Sequence, residues 1–206
     1  MKVKICGIVS EEIAQQAIVY GADALGFVFA VSKRRISTEK AKKIIKGLPI
    51  NVWKVGVFVD EPIESLLLIA KEVGLTHVQL HGDESKNYCT EIKSQGFEVI
   101  KAIQMKSEKD IDLIYEYDDD YILVDSPRGK YHGGNGTSFD WTLLQEMQRK
   151  HPKLILAGGL TAENVKVAIS QCAPFMVDVS SGVEIDGKKS PSKIRRFIEA
   201  TNLEEE

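Results

Sequence analysis

The chain has 206 residues, 43% of them hydrophobic and 28% charged, and its 27 Lys and Arg against 30 Asp and Glu give a formal net charge of −3. That is enough for one domain with a sizeable core, and it excludes a disordered chain. It also excludes the broad cationic field that would draw in nucleic acid.

No apolar run approaches the roughly 20 residues needed to cross a bilayer, so no membrane partner is expected. After the opening MKVKIC, Gly7 and then Glu11-Glu12 intervene before a leader core forms. Cys6, Cys89 and Cys172 are odd in number and far apart, which fits neither a disulfide framework nor a CxxC metal site. A cytoplasmic protein is the expectation.

Short β-branched runs recur along the chain, each followed by a glycine-rich or polar turn and then a helical stretch. They are Val3–Cys6, Ala24–Phe29, Trp53–Val59, His77–Leu80, Glu98–Ile103, Tyr121–Asp125, Lys153–Ala157 and Phe175–Val179. Between them, apolar residues fall on single helical faces, such as Ile13, Ala14, Ala17 and Ile18, or Ile63, Leu66, Leu67, Ala70 and Val73. Ser190 is a candidate N-cap, with Pro191 at the first position of a last helix that buries Ile194, Phe197 and Ile198. About 26 residues per unit suits one strand, one helix and two short connections. Strict alternation calls for parallel pairing with right-handed crossovers. Eight such units predict an α/β protein, a (β/α)8 TIM barrel of eight parallel strands ringed by helices, with residues 1–206 as one catalytic domain. The competing open doubly wound sheet predicts a dinucleotide fingerprint after the first strand, and Cys6-Gly7-Ile8-Val9-Ser10 is not one. Asp118-Asp119-Asp120 reads as a solvated loop on the opposite face, and Glu204–Glu206 as a fraying helix end.

In this fold, chemistry sits at the carboxyl ends of the strands. Gly158-Gly159 after the seventh strand and Ser180-Ser181-Gly182 after the eighth fit a phosphate grip, because glycine lets the backbone approach closely and turn N–H groups inward. Gly133-Gly134-Asn135-Gly136-Thr137 follows a longer excursion and is expected to act as a mobile cover. Cys6 ends strand one and Asp125 ends strand six, a pair suited to acid–base work if the thiol is made more acidic and the carboxyl less so. The plainer reading of a strand cysteine is core filler. In the loop after strand two, Ser32-Lys33-Arg34-Arg35-Ile36-Ser37 offers a guanidinium fork for a carboxylate, or merely a solvated basic loop. Gln79 and His81 share one strand face, and Asp178 is placed to bond sugar hydroxyls. Lys101 lies within strand five, where an interior ion pair competes with a Schiff-base role. His132 and His151 carry little weight. No spacing matches a metal site, so no metal is inferred.

Several blocks now add up. Lys4-Ile5-Cys6-Gly7, Gly21–Phe29, Val55–Val59, Val78-Gln79-Leu80-His81-Gly82, Leu123-Val124-Asp125, Gly133–Gly136 with Phe139-Asp140-Trp141, Ala157–Leu160 and Val177–Glu184 resemble the phosphoribosylanthranilate isomerase family, in order, from residue 3 to about residue 198. The resemblance implies an Amadori rearrangement in tryptophan biosynthesis, from N-(5-phosphoribosyl)anthranilate to 1-(2-carboxyphenylamino)-1-deoxyribulose 5-phosphate, with no cofactor. It implies Asp125 as general acid, Cys6 as general base, Arg34 on the anthranilate carboxylate, and phosphate on the backbone of Gly158, Gly159 and Ser180–Gly182. The expected partner is a small phosphoribosyl substrate, in a monomer or homodimer. Two alternatives remain: another phosphosugar barrel (an epimerase or a Lys101 Schiff-base aldolase), or a non-catalytic phospholigand-binding barrel.

Overall fold

The β-branched runs pair as a closed parallel barrel in chain order: β1 (Lys2–Cys6), β2 (Ala24–Val28), β3 (Trp53–Phe58), β4 (His77–Leu80), β5 (Glu98–Gln104), β6 (Tyr121–Asp125), β7 (Leu154–Ala157) and β8 (Met176–Val179). The structure is a computed structural model that describes residues 1–105, 114, 116–117, 121–125 and 151–202. The expectations for 118–120, His132, 133–137, 139–141 and 204–206 lie outside the described residues. Strand ends differ from expectation by a residue or so. Phe29, for example, lies just past β2 although its N–H still reaches the Val57 carbonyl at 3.0 Å.

Helices α1 (Glu11–Val19), α2 (Thr38–Lys46), α3 (Ile63–Val73), α4 (Lys86–Ser94), α5 (Val165–Cys172) and α6 (Pro191–Thr201) flank the strands. Ser10, Ser37 and Ser85 cap α1, α2 and α4, each hydroxyl accepting from the backbone N–H three residues on. Ser190 does occupy the N-cap position of α6, but its hydroxyl pairs with the Ser192 hydroxyl at 3.0 Å instead of capping. Pro191, with no N–H to satisfy, starts that helix. Its face of Ile194, Phe197 and Ile198 is buried, at roughly 1.5–3 kcal/mol per large apolar side chain.

Pleating divides every strand between two cores. Alternate positions along the strands face the helices: Val3, Ile5, Leu25, Phe27, Val78, Leu80, Val99, Ile103, Ile122, Val124, Leu154 and Leu156 all join the outer core. Ala24, Val55, Ile100, Leu123, Ile155 and Met176 fill the barrel interior. At the amino-terminal end Trp53 stacks on His77, with ring centroids 3.9 Å apart, and Tyr121 and Phe175 complete a floor of rings. Above the apolar middle, the inward positions at the carboxyl ends turn polar. That is where the site lies.

Candidate active site

One cavity of about 170 Å³ opens at the carboxyl ends of the strands, and it gathers side chains far apart in sequence. Cys6, Arg34, Gln79, His81, Asp125 and Asp178 line it, as do Gly158, Gly159, Ser180, Ser181 and Gly182. Arg35, by contrast, lines a different hollow beside the start of α2.

The parity of the strands explains the gathering. Cys6 is the last residue of β1 and faces inward with Val28 and Val57. It is 8% exposed, whereas Cys89 and Cys172 are sealed in the outer core. Burial pushes the Cys6 thiol up from its ordinary value, and the neighbouring charges of Lys4 and Lys189 only partly oppose this. The sequence reading asked for a more acidic thiol. The barrel instead sets Val28 and Val57 against it, so a thiolate there would have to draw on nearby cations.

Asp125 ends β6 and meets His81, whose Nε2 lies 3.5 Å from Oδ2. His81 Nδ1 in turn lies 3.1 Å from the Gln79 amide nitrogen. With that N–H donating to Nδ1, the ring's other nitrogen, Nε2, is the one directed at Asp125. Gln79, His81 and Asp125 thus form one polar row across β4 to β6.

Arg34 turns its Nε and Nη2 onto the two carboxylate oxygens of Glu184, at 2.6 and 2.7 Å. The fork expected to meet a substrate carboxylate is therefore engaged along one edge by the protein itself. Lys189 also donates to Glu184 and reaches the Ser180 carbonyl at 3.1 Å. Burial alone would raise the Glu184 carboxyl, but the hydrogen bonds and charges of Arg34 and Lys189 outweigh it and hold the group at about 2.

The last two loops close the opposite rim. Gly158 and Gly159 both adopt positive φ, at 85° and 62°, which aims successive peptide groups to one side. Gly182 packs so tightly that a Cβ there would stand 1.9 Å from the Leu160 carbonyl oxygen. A larger hollow of about 330 Å³ adjoins at Gly159, Leu160, Ser181 and Gly182, with Lys193 and Arg196 on its far side. It holds neither the thiol nor the carboxyl.

Lys101 lies on the outward face of β5, between the outer-core residues Val99 and Ile103. Its ammonium donates to the Gly82 carbonyl at 2.6 Å and to Glu84 at 2.7 Å. This is the interior ion pair, and its geometry gives no access to the cavity for a Schiff base. His151 is buried, with Nε2 3.5 Å from the Tyr117 carbonyl. Among the described residues, no three His, Cys, Asp or Glu side chains gather as a metal site would need.

Sequence reasoning assigned no role to Lys4, Glu184 or Lys189. Lys4 was legible in principle, since it sits two residues before Cys6 and shares its face. Glu184 and Lys189 were not, because only the small hairpin of β9 (Glu184–Ile185) and β10 (Lys188–Lys189) folds them over the barrel mouth.

A family model described as N-(5'phosphoribosyl)anthranilate (PRA) isomerase matches residues 3–200. The chain belongs to the phosphoribosylanthranilate isomerase family. The N-(5'-phosphoribosyl)anthranilate isomerases of Bacillus cereus strain B4264 and Bacillus mycoides are 55% and 53% identical to it, over 96% of both chains in each case. The crystal structure of phosphoribosyl anthranilate isomerase from Thermotoga maritima superposes with a TM-score of 0.89 at 44% identity, covering 98% of each chain. A phosphoribosyl anthranilate isomerase in complex with reduced 1-(o-carboxyphenylamino)-1-deoxyribulose 5-phosphate gives 0.88 at 42%, with the same coverage. As a phosphoribosylanthranilate isomerase, the chain is an enzyme of tryptophan biosynthesis. No helix among its described residues is long and apolar enough to cross a membrane.

Proposed function

We propose that residues 1–206 form one catalytic barrel that converts N-(5-phosphoribosyl)anthranilate to 1-(2-carboxyphenylamino)-1-deoxyribulose 5-phosphate, with Asp125 as general acid and Cys6 as general base. The observation that carries this is the placement of a thiol from β1 and a carboxyl from β6, three strands apart around the barrel, on one cavity.

The protonated Asp125 carboxyl gives its proton to the ribose ring oxygen. The C1–O bond breaks, and the nitrogen lone pair forms an iminium at C1. The Cys6 thiolate then removes the proton from C2, and its electron pair makes the C1–C2 double bond of an enolamine. Proton loss from the C2 hydroxyl and proton gain at C1 complete the ketone, so no atom is gained or lost overall. Acid–base catalysis of this kind contributes about 10²–10⁴-fold per group.

Backbone amides of Gly158, Gly159 and Ser180–Gly182 hold the phosphate at one rim. Arg34 holds the anthranilate carboxylate at the other, its fork oriented by Glu184. Asp178, Gln79 and His81 lie between these rims and contact the ribose. The partner is this small molecule, and the enzyme works as a monomer or homodimer in the cytoplasm.

Incubation with freshly generated phosphoribosylanthranilate, following loss of its fluorescence, tests the activity. Cys6→Ser and Asp125→Asn should each fold normally and lose about 10²–10⁴-fold in kcat. Near-native turnover in either variant would remove that residue's role.

A further inference from the structure

We propose that Lys4 is a positioning residue whose buried ammonium, shared between Asp178 and the sulfur of Cys6, is what allows Cys6 to carry negative charge inside the barrel. The inference rests on the reading of Cys6 as the base.

Lys4 is fully buried, with Nζ 3.0 Å from Asp178 Oδ1. The β1–β8 register places these two residues directly opposite each other. That carboxylate is the nearer partner, and it engages only part of what the ammonium offers. A buried N–H left without an acceptor is costly, so the remaining donors need partners as well. An ammonium has three N–H donors. Strand pleating supplies a second neighbour, the Cys6 sulfur, two residues along on the same inward face of β1 and electrostatically coupled to the ammonium.

The other charges around the sulfur are committed elsewhere. Lys189, from the hairpin after β8, bonds Ser180 and Glu184. Arg34, from the loop after β2, is forked onto Glu184. Asp178, from β8, opposes a thiolate. His81 and Asp125, from β4 and β6, face each other across the same cavity. Lys4 is therefore the cation whose buried position on the same strand face suits the thiolate. Burial pushes the Lys4 ammonium toward neutrality, but Asp178 and Cys6 outweigh it and keep it charged.

The test is the pH dependence of Cys6 alkylation by iodoacetamide, resolved from Cys89 and Cys172 by peptide mass spectrometry. Lys4→Met should move the Cys6 titration midpoint up by about one pH unit or more, and the acid-side limb of kcat/KM with it. Lys4→Arg should restore most of the shift. Because Lys4→Met leaves Asp178 buried without a counter-ion, the double variant Lys4→Met/Asp178→Asn serves as the second measurement. It should keep a raised midpoint, since of the two charges removed the Lys4 ammonium acts on the sulfur more strongly than Asp178 does. A double variant with the original midpoint would overturn the proposal, leaving Lys4 as a partner of Asp178 alone. If Cys6→Ser retains turnover while Lys4→Met still shifts alkylation, the base reading fails and the thiolate-holding role of Lys4 stands.

Discussion

Gly7 and Arg34 share one small space. A Cβ at Gly7 would stand 2.6 Å from the Arg34 Cδ, and Gly7 has a φ of +84°, where a side chain is strained in any case. The residue after the thiol thus seats the arginine that reaches Glu184. Gly7→Ala should add about 1–3 kcal/mol of backbone strain and push Arg34 out of line. Steady-state kinetics should show KM raised about tenfold, with circular dichroism unchanged.

The two adjacent arginines should separate cleanly. Arg34 lines the cavity and Arg35 does not. A charge-assisted hydrogen bond contributes about 1.5–3 kcal/mol, so Arg34→Ala should raise KM by ten- to a hundred-fold, in rough terms, while Arg35→Ala moves it little. The reverse result would shift the assignment by one residue.

Glu184 gives a stability prediction with a definite sign. Its carboxyl is held at about 2 in the folded state, below the ordinary value of about 4.3. A depressed carboxylate contributes stability above its unfolded pKa and loses it as pH falls through the folded one. Glu184→Gln should therefore lower the urea midpoint at pH 7, and the difference should shrink steadily between about pH 5 and pH 2.

The floor of rings carries a titration of the same sign with a different cause. Burial against Trp53, with Lys2 nearby, pushes His77 down from 6.5 to about 4. The unfolded chain then binds this proton before the folded one does. Stability should fall as pH drops from about 6.5 to about 4, by up to about 3 kcal/mol. Replacing His77 by Phe should flatten denaturation midpoints across that window.

The pH profile of kcat/KM reports groups of the free enzyme, and it should be bell-shaped if one group acts ionised and the other protonated. Because burial raises the Cys6 thiol, the acid-side limb should lie on the alkaline side of an ordinary cysteine. A limb at clearly lower pH would mean that another group sets it.

Much of this was readable along the chain, for identifiable reasons. Alternating β-branched runs and helical faces can be buried in few ways, and a parallel strand hidden on both sides reads as a nearly continuous apolar run. The breaks in those runs marked the strand ends, and so Cys6, His81 and Asp125 stood out as polar groups where apolar ones were expected. Serines cap three helices at Ser10, Ser37 and Ser85, where a hydroxyl satisfies an orphan N–H, yet only Ser190 was singled out along the chain. Ser190 followed the same pattern without making that bond, since Ser192 competes for its hydroxyl.

What the linear order determined was the inventory: eight strands, their inward and outward positions, and the reactive groups at their carboxyl ends. Periodicity is local, and local rules suffice for it. Only closure of the barrel decided which charges meet. Lys4 finds Asp178 across 174 residues, Arg34 finds Glu184 across 150, and Lys101 turns outward to Glu84. These pairings set which way each group points, and for Lys4, Arg34 and Glu184 how firmly it holds its charge, because a buried charge responds to its nearest partners in space and not to its neighbours in the chain.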